Sequence, residues 1–351
     1  MSQPKTARAT LPQATISRAK DSLAKVPLPK AIQNRQDRWE LYSRLARRVG
    51  STVGGPVERR IERHLLQRSW VNAKPAMLKN YLVTSYQDPV INVQSILARH
   101  HFIGEVTGDE HRALMAEELD WAVEKNRALR KRQQELPEEY GMSFAELKRK
   151  GKWREAFAQI VDDHDVYATK WTEALHGADG PRVSIIEAAC GSANDYRAFD
   201  GYGIAPLVDY TGIDLTEANI ANARSMFPEA DFRVGDVQDI DAEDGSYDWA
   251  VAHDLLEHLS PSAFNRAIDE LSRVSRRGVL ISFFLMRDEP EHRIQPRRYY
   301  HVNDLSKDRI EERFARYCSD IQWTQIRPWL KETHDFGDYY NWRAWTMIAK
   351  H

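Results

Sequence analysis

Cysteine is nearly missing: Cys190 and Cys318 are the only two in 351 residues, and each falls within a predicted regular element. No disulfide framework and no CxxC metal motif can be assembled from them, which fits a reducing cytoplasm. Long hydrophobic runs are also lacking. The longest apolar stretch, Val279–Met286, is short and already contains Ser282, whereas a membrane helix needs roughly 20 apolar residues. No charged leader followed by an apolar core opens the chain, so the expectation is a soluble, unexported protein with no membrane partner. Nor is there a large excess of one charge, because 50 Lys/Arg face 52 Asp/Glu. Their distribution is uneven: residues 1–60 hold 13 Lys/Arg against 4 Asp/Glu, which leaves the remainder at −11. A basic head is either a nucleic-acid footprint or a solvated tail, and it is read here as the tail.

Hydrophobic content of 42% with 10% aromatics is ordinary globular composition, enough for two domains with cores of their own. Residues 1–34 hold four prolines and no sustained apolar period, so they are expected to be a disordered basic tail. From Gln36 the apolar spacing becomes helical: Trp39, Leu41, Tyr42, Leu45 and Val49 make one helix, and Gly54-Gly55-Pro56 turns into a second that ends near Trp70. Others are expected to begin near Pro75, Pro89 and Asp109, the last ending at Leu136-Pro137. Ser143 to Glu146 reads as a capping box, and Trp153–Leu175 as one helix closed by His176-Gly177. Residues 35–177 are therefore expected to form an all-helical cap or substrate domain.

After Gly180-Pro181 short apolar strands alternate with helices, the pattern of a parallel α/β sheet. Strands are expected at Val183–Ala188, Val208–Ile213, Asp231–Val234, Tyr247–Ala252 and Val279–Phe284. Helices are expected near Asp195–Phe199, Glu217–Met226, Pro261–Val274 and Val302–Tyr317, and late strands at Ile321–Ile326 and Ala344–Ala349.

Four segments carry chemistry. Ile185 to Ala193 ends a strand in Glu187 and turns through Ala188, Ala189, Cys190, Gly191 and Ser192 into a helix. Small residues at that place let the backbone approach a nucleoside cofactor beyond the carboxyl end of the sheet. Tyr210 to Asp214 puts a carboxylate past the second strand, where its oxygens can accept two ribose hydroxyls. Val234-Gly235-Asp236-Val237 ends the third strand, and Tyr247 to Leu259 carries His253, Asp254, Glu257 and His258 past the fourth. Asp214 and Asp236 could each be a helix cap. Their occurrence in order with Gly191 and the fourth-strand segment favours the binding role.

This ordered set resembles the class I S-adenosylmethionine-dependent methyltransferases. The resemblance covers about 170 residues, with Ala189 and Ala193 standing where the family often has glycine. It implies an α/β Rossmann-like fold, mostly parallel with an antiparallel late strand, over residues 178–351, next to the helical domain. It also implies S-adenosylmethionine as cofactor, held by Glu187, Ala189, Cys190, Gly191, Asp214, Leu215, Asp236, Val237 and His253, with Asp214 on the ribose and Asp236 with Val237 at the adenine. GxGxxG is absent, which disfavours a nicotinamide cofactor.

Methyl transfer from a sulfonium needs positioning and a dry pocket, plus a general base when the acceptor is a hydroxyl. His253, Asp254 and His301 are the candidates for catalysis, with His292 in the same loop. Asp254, Glu257 and His258 could align on one helical turn as metal ligands, completed by His292 or His301, but a metal-free site is expected. The acceptor is expected to be a small molecule or glycan enclosed by the helical domain. An RNA substrate held by the basic head is the alternative, and a protein that binds the cofactor without turnover is another. Aromatics crowd the C-terminal part (Tyr299, Tyr300, Trp323, Trp329, Tyr339, Tyr340, Trp342 and Trp345), and Tyr167 and Trp171 could either cover the site or anchor their helix.

Overall fold

The computed structural model describes residues 85–178, 182–297 and 300–351. The tail, the helices through Trp39 and Trp70, the start near Pro75, the Gly180-Pro181 junction and Tyr299 lie outside them.

Five helices precede the sheet among the described residues: α1 Val93–Thr107, α2 Arg112–Tyr140, α3 Phe144–Arg149, α4 Lys152–Ile160 and α5 Asp165–Ala174. Three depart from expectation. The helix expected near Pro89 starts at Val93, because the Asn92 side chain accepts the Ser95 N–H and sets the cap there. Helix α2 does not stop at Leu136-Pro137. Proline lies in its last turn, and Gly141, at φ 59°, closes it through the carbonyls of Glu138 and Pro137. The single helix expected over Trp153–Leu175 is two. Between them the Asp163 carboxylate accepts from Trp121 (3.2 Å) and pairs with Lys125 (2.6 Å), while the His164 ring turns back to the Val161 carbonyl (3.1 Å). Short polar side chains that satisfy the backbone and one another locally compete with helix continuation. The capping box at Ser143 and Glu146 forms as expected.

The sheet comprises β1 Val183–Ala188, β2 Val208–Asp214, β3 Asp231–Val234, β4 Tyr247–His253, β5 Ser275–Phe283, β8 Asp320–Gln325 and β9 Trp345–Lys350. Its order is β3-β2-β1-β4-β5-β9-β8, parallel through β5 and antiparallel where β9 inserts between β5 and β8. The helices between strands are α6 Asn194–Gly201, α7 Glu217–Met226 and α8 Pro261–Val274. Helix α8 shows why the boundaries were legible: Ser260 caps it, Pro261 takes the first position, and Phe264, Ala267, Ile268 and Leu271 recur on one buried face.

Two later expectations change. The helix expected from Val302 begins only at Lys307, as α9 Lys307–Phe314 capped by Ser306. Leu305–Ser306 (β7) instead pairs in parallel with Met286–Arg287 (β6). An unexpected helix, α10 Ile326–His334, follows β8 directly and buries Ile326 and Leu330.

One core lies between the sheet and α8 and α9, with Ile268, Leu271, Ile281, Ile310 and Phe314. A second joins the sheet to α1, α5 and α6 through Phe102, Tyr167, Trp171, Ile185, Phe199 and Trp249. The helical part thus shares a core with β1 and β4. Among the described residues no helix is long and apolar enough to cross a membrane.

Candidate cofactor and acceptor site

β1, β2 and β4 end on one edge, where parallel strands leave a crevice for ligands. The turn after β1 holds three left-handed residues in five: Ala189 (φ 61°), Gly191 (φ 59°) and Ala193 (φ 63°). The alanines carry this backbone with a Cβ, which costs about 1–2 kcal/mol each relative to glycine. Cys190 donates its N–H to the Ile213 carbonyl (3.1 Å), and Gly191 donates to Asp214 Oδ2 (3.1 Å). The Cys190 side chain is buried beneath the turn, where burial pushes its thiol far above the usual range. A Cβ on Gly212 would fall 2.9 Å from its Sγ, so the strand can pass only as glycine. Of the small residues in this turn, Cys190 therefore offers the crevice backbone alone.

Asp214 sits at the end of β2 with three local donors. Oδ1 accepts the Thr216 N–H (2.8 Å) and Asn219 Nδ2 (3.2 Å), and Oδ2 accepts Gly191 N–H. Burial raises its carboxyl, and these donors counter it. A carboxylate has about four acceptor positions, so capacity for a ligand hydroxyl remains. Leu215 follows, half-buried. Asp236 is buried after β3, with Oδ1 accepting the Gln238 N–H (3.0 Å), and Val237 is buried beside it.

Carboxylates crowd this edge. Glu187 Oε2 accepts the Tyr210 hydroxyl at 2.5 Å. Burial raises the Glu187 carboxyl well above its ordinary range, reinforced by the charges of Asp195 and Asp214, while the tyrosine works the other way. Asp254, just past β4, has a left-handed backbone at φ 49°. Its carboxyl is also raised well above the ordinary range, by burial first and then by Glu257 and Asp195.

The stretch leading into α1 crosses the same edge. Gln87 Nε2 lies 3.4 Å from Asp254 Oδ2, the Ser95 hydroxyl donates to Asp195 (3.1 Å), and Arg197 lies 3.6 Å from Asp88. Gln94 Nε2 donates to the carbonyls of Phe283 (3.0 Å) and Trp345 (2.7 Å), at the ends of β5 and β9. Tyr86 stacks on Tyr340, with ring centroids 4.9 Å apart.

The fourth-strand residues divide by role. His253 ends β4 half-buried, in register with Ser282. Glu257 is fully buried, and its Oε1 accepts the N–H groups of Phe284 (2.7 Å) and Leu285 (3.3 Å). Burial lifts its carboxyl to about 7 despite those donors. His258 turns Nδ1 to the His301 carbonyl (2.9 Å), and His301 N–H returns to the His258 carbonyl (3.1 Å). Glu257 and His258 thus tie down the loop after β5. They lie in a short 3₁₀ turn, Leu256–His258, so the α-helical alignment with Asp254 does not form. His292 lies apart from the edge, its Nδ1 accepting the Ser306 N–H (2.9 Å) and its ring against Phe264.

Among the crowded aromatics, Trp323 and Trp345 pack on one another in the sheet core, Tyr339 is fully buried with its hydroxyl at Val93 N, and Trp342 is exposed. Trp171 is fully buried and donates to Glu118 (2.7 Å), and Tyr167 lies in the same core with its hydroxyl at Glu117 (3.3 Å). Both anchor α5.

Residues 185–278 match a family model described as a methyltransferase domain. The C-terminal half carries a class I S-adenosylmethionine-dependent methyltransferase domain. A probable S-adenosylmethionine-dependent methyltransferase of Mycolicibacterium smegmatis is 27% identical over 161 residues, 42% of this chain and 54% of that protein. The chain thus spans about half the length of the curated relative it matches. Among solved structures, an S-adenosylmethionine-dependent methyltransferase of Methanosarcina mazei is 15% identical, with TM-score 0.38, over 50% of this chain and 96% of that one. The magnesium protoporphyrin IX methyltransferase of Synechocystis is 16% identical, with TM-score 0.35, over 56% and 83%.

Around the methyltransferase domain's crevice, sequence reading missed Gln87, Ser95 and Asp195. Asp195 opens α6 two residues after the glycine-poor turn, and its place in the first helical turn was the available signal. Gln87 and Ser95 come from the helical part and are brought to the edge only by the way α1 docks, which no local pattern announces.

Proposed function

We propose that the chain is an S-adenosylmethionine-dependent methyltransferase acting on a hydroxyl of a small molecule or glycan. The observation that carries the reading is the crowding of Glu187, Asp195, Asp214 and Asp254 at the sheet's carboxyl edge, with burial raising three of them and neighbouring carboxylates adding to the rise at Glu187 and Asp254. Among the described residues no lysine or arginine pairs with these four, and the sulfonium and ammonium of S-adenosylmethionine would supply positive charge. The bound cofactor contributes an electrophilic methyl whose leaving group needs no proton.

The turn at Ala189, Cys190 and Gly191 would hold it by backbone, Asp214 with Leu215 at the ribose, and Asp236 with Val237 at the adenine. Glu187 and His253 would flank the remaining part. Asp254 is the general base on this reading, oriented by Gln87. It would take the proton of an acceptor hydroxyl beside it as that oxygen received the methyl group the cofactor would supply. A carboxylate whose affinity for a proton is raised above the ordinary is the better proton acceptor. His301, fixed through its backbone to His258, would form the acceptor's far wall. The reach of Gln87 to Asp254, with Tyr86 beside it stacked on Tyr340, brings the helical part to this edge and supports a compact acceptor.

The test is incubation of the full chain with methyl-labelled S-adenosylmethionine and fractionated cell extract. Label in small molecules or glycans supports the reading. Label in RNA would replace the acceptor class, and no transfer despite cofactor binding would make the chain a binding protein.

A further inference from the structure

On the sheet face away from α1, a cavity of about 450 Å³ opens between α8, α9 and the loop that leads to β7. Arg309 and Arg313, one helical turn apart on α9, line it together with Arg316 from the turn that follows the helix. Two of these are partly spoken for. Arg309 pairs with Glu291 and with Glu312, which also lines the cavity, and Arg313 gives one terminal nitrogen to Asp269.

What remains is a set of unused donors. Arg313 Nε is buried with no acceptor, and a buried orphaned donor of a charged group is costly. Arg316 is exposed and enters no ion pair among the described residues. His292 spends Nδ1 as an acceptor from Ser306 N–H, which places the proton of the neutral ring on Nε2. Burial lowers the pKa of this histidine, consistent with the neutral ring. The lining also holds apolar Phe264, Leu305 and the exposed Ile294, with polar Asn265 and Asn303.

We infer that this cavity binds a small phosphate monoester, with Arg313, Arg316 and His292 meeting the phosphoryl oxygens and Phe264 and Ile294 receiving an apolar body. A phosphoryl group carries enough acceptor oxygens to meet several charged donors at once, and the volume is that of a small-metabolite site. The site is separate from the cofactor crevice. Yet Asn303, which also lines it, donates its backbone N–H to the Glu257 carbonyl (2.9 Å) and its side chain to the Leu259 carbonyl (2.8 Å).

The probe is phenyl phosphate, titrated calorimetrically into the full chain, with inorganic phosphate, benzyl alcohol and phosphatidic-acid vesicles in parallel. Phenyl phosphate should bind, inorganic phosphate more weakly and benzyl alcohol not at all. Arg316→Glu, at an exposed and unpaired position, should weaken phenyl phosphate at least tenfold and leave S-adenosylhomocysteine binding unchanged, as should Arg313→Gln. Binding of vesicles together with phenyl phosphate would make a lipid headgroup the source of the same chemistry. Absence of phenyl phosphate binding in the unsubstituted chain, or equal binding in Arg316→Glu, would overturn the inference.

Discussion

Replacing Glu257 by glutamine should make the protein more stable at alkaline pH, by an amount the structure sets. The side chain is fully buried, with Oε1 on two backbone N–H groups and Oε2 without a partner. Its midpoint is about 7, against an ordinary 4.5. The folded-state value is the raised one, so the associated stability is fully present below pH 4.5 and is lost as pH rises through 7. At 1.36 kcal/mol per pH unit, that loss reaches about 3 kcal/mol. Glutamine keeps an oxygen for the same N–H groups and never ionises, so the variant lacks this loss. Urea unfolding followed at pH 5 and pH 8.5 should show the variant gaining on the unsubstituted chain by about 2 kcal/mol across the interval, since part of the loss has already occurred at pH 5. A gap that stays constant between the two pH values would refute the buried, raised carboxyl.

Gly191→Val should abolish S-adenosylhomocysteine binding while the chain stays folded by circular dichroism, since φ is 59° there and a Cβ would meet Asn194 at 3.3 Å; normal binding would mean the turn does not face the cofactor. Tyr167→Phe should change thermal stability by less than about 1 kcal/mol and leave turnover intact, because its hydroxyl reaches only Glu117; slower turnover at unchanged stability would assign it a site role. Methyl transfer should survive EDTA, because Glu257 and His258 are committed to the loop after β5; loss restored by a divalent ion would promote Asp254, Glu257 and His258 to ligands.

The sheet was legible because its strands are short apolar runs bounded by turn residues: Val183–Ala188 and Asp231–Val234 fall where the sequence places them. Glu187, Asp214 and Asp254 stand in or just past strand ends, where a sequence pattern can point to them, whereas Asp195, in the first turn of α6, was not singled out. Helix interruptions were not. The break after Ile160 depends on Asp163 meeting Trp121 and Lys125 from a distant helix, and α2 tolerates Pro137 because Gly141 caps it in a left-handed conformation. The function of Glu257 was hidden for a like reason: its spacing from Asp254 suggests ligands on one helical turn, whereas the chain forms a 3₁₀ turn that sends it to the N–H groups past β5. Tertiary partners decided each case.

The central claim rests on Asp214, whose carboxylate joins the first turn to the end of β2 and retains acceptor capacity for a ribose. Calorimetric titration of S-adenosylmethionine into the full chain and into Asp214→Ala and Asp214→Asn tests it directly. The unsubstituted chain should bind, and loss of the charged acceptor should cost on the order of 1.5–3 kcal/mol, a tenfold or greater drop in affinity, with Asn less impaired than Ala. No binding by the unsubstituted chain, or unchanged affinity in Asp214→Ala, would contradict the account.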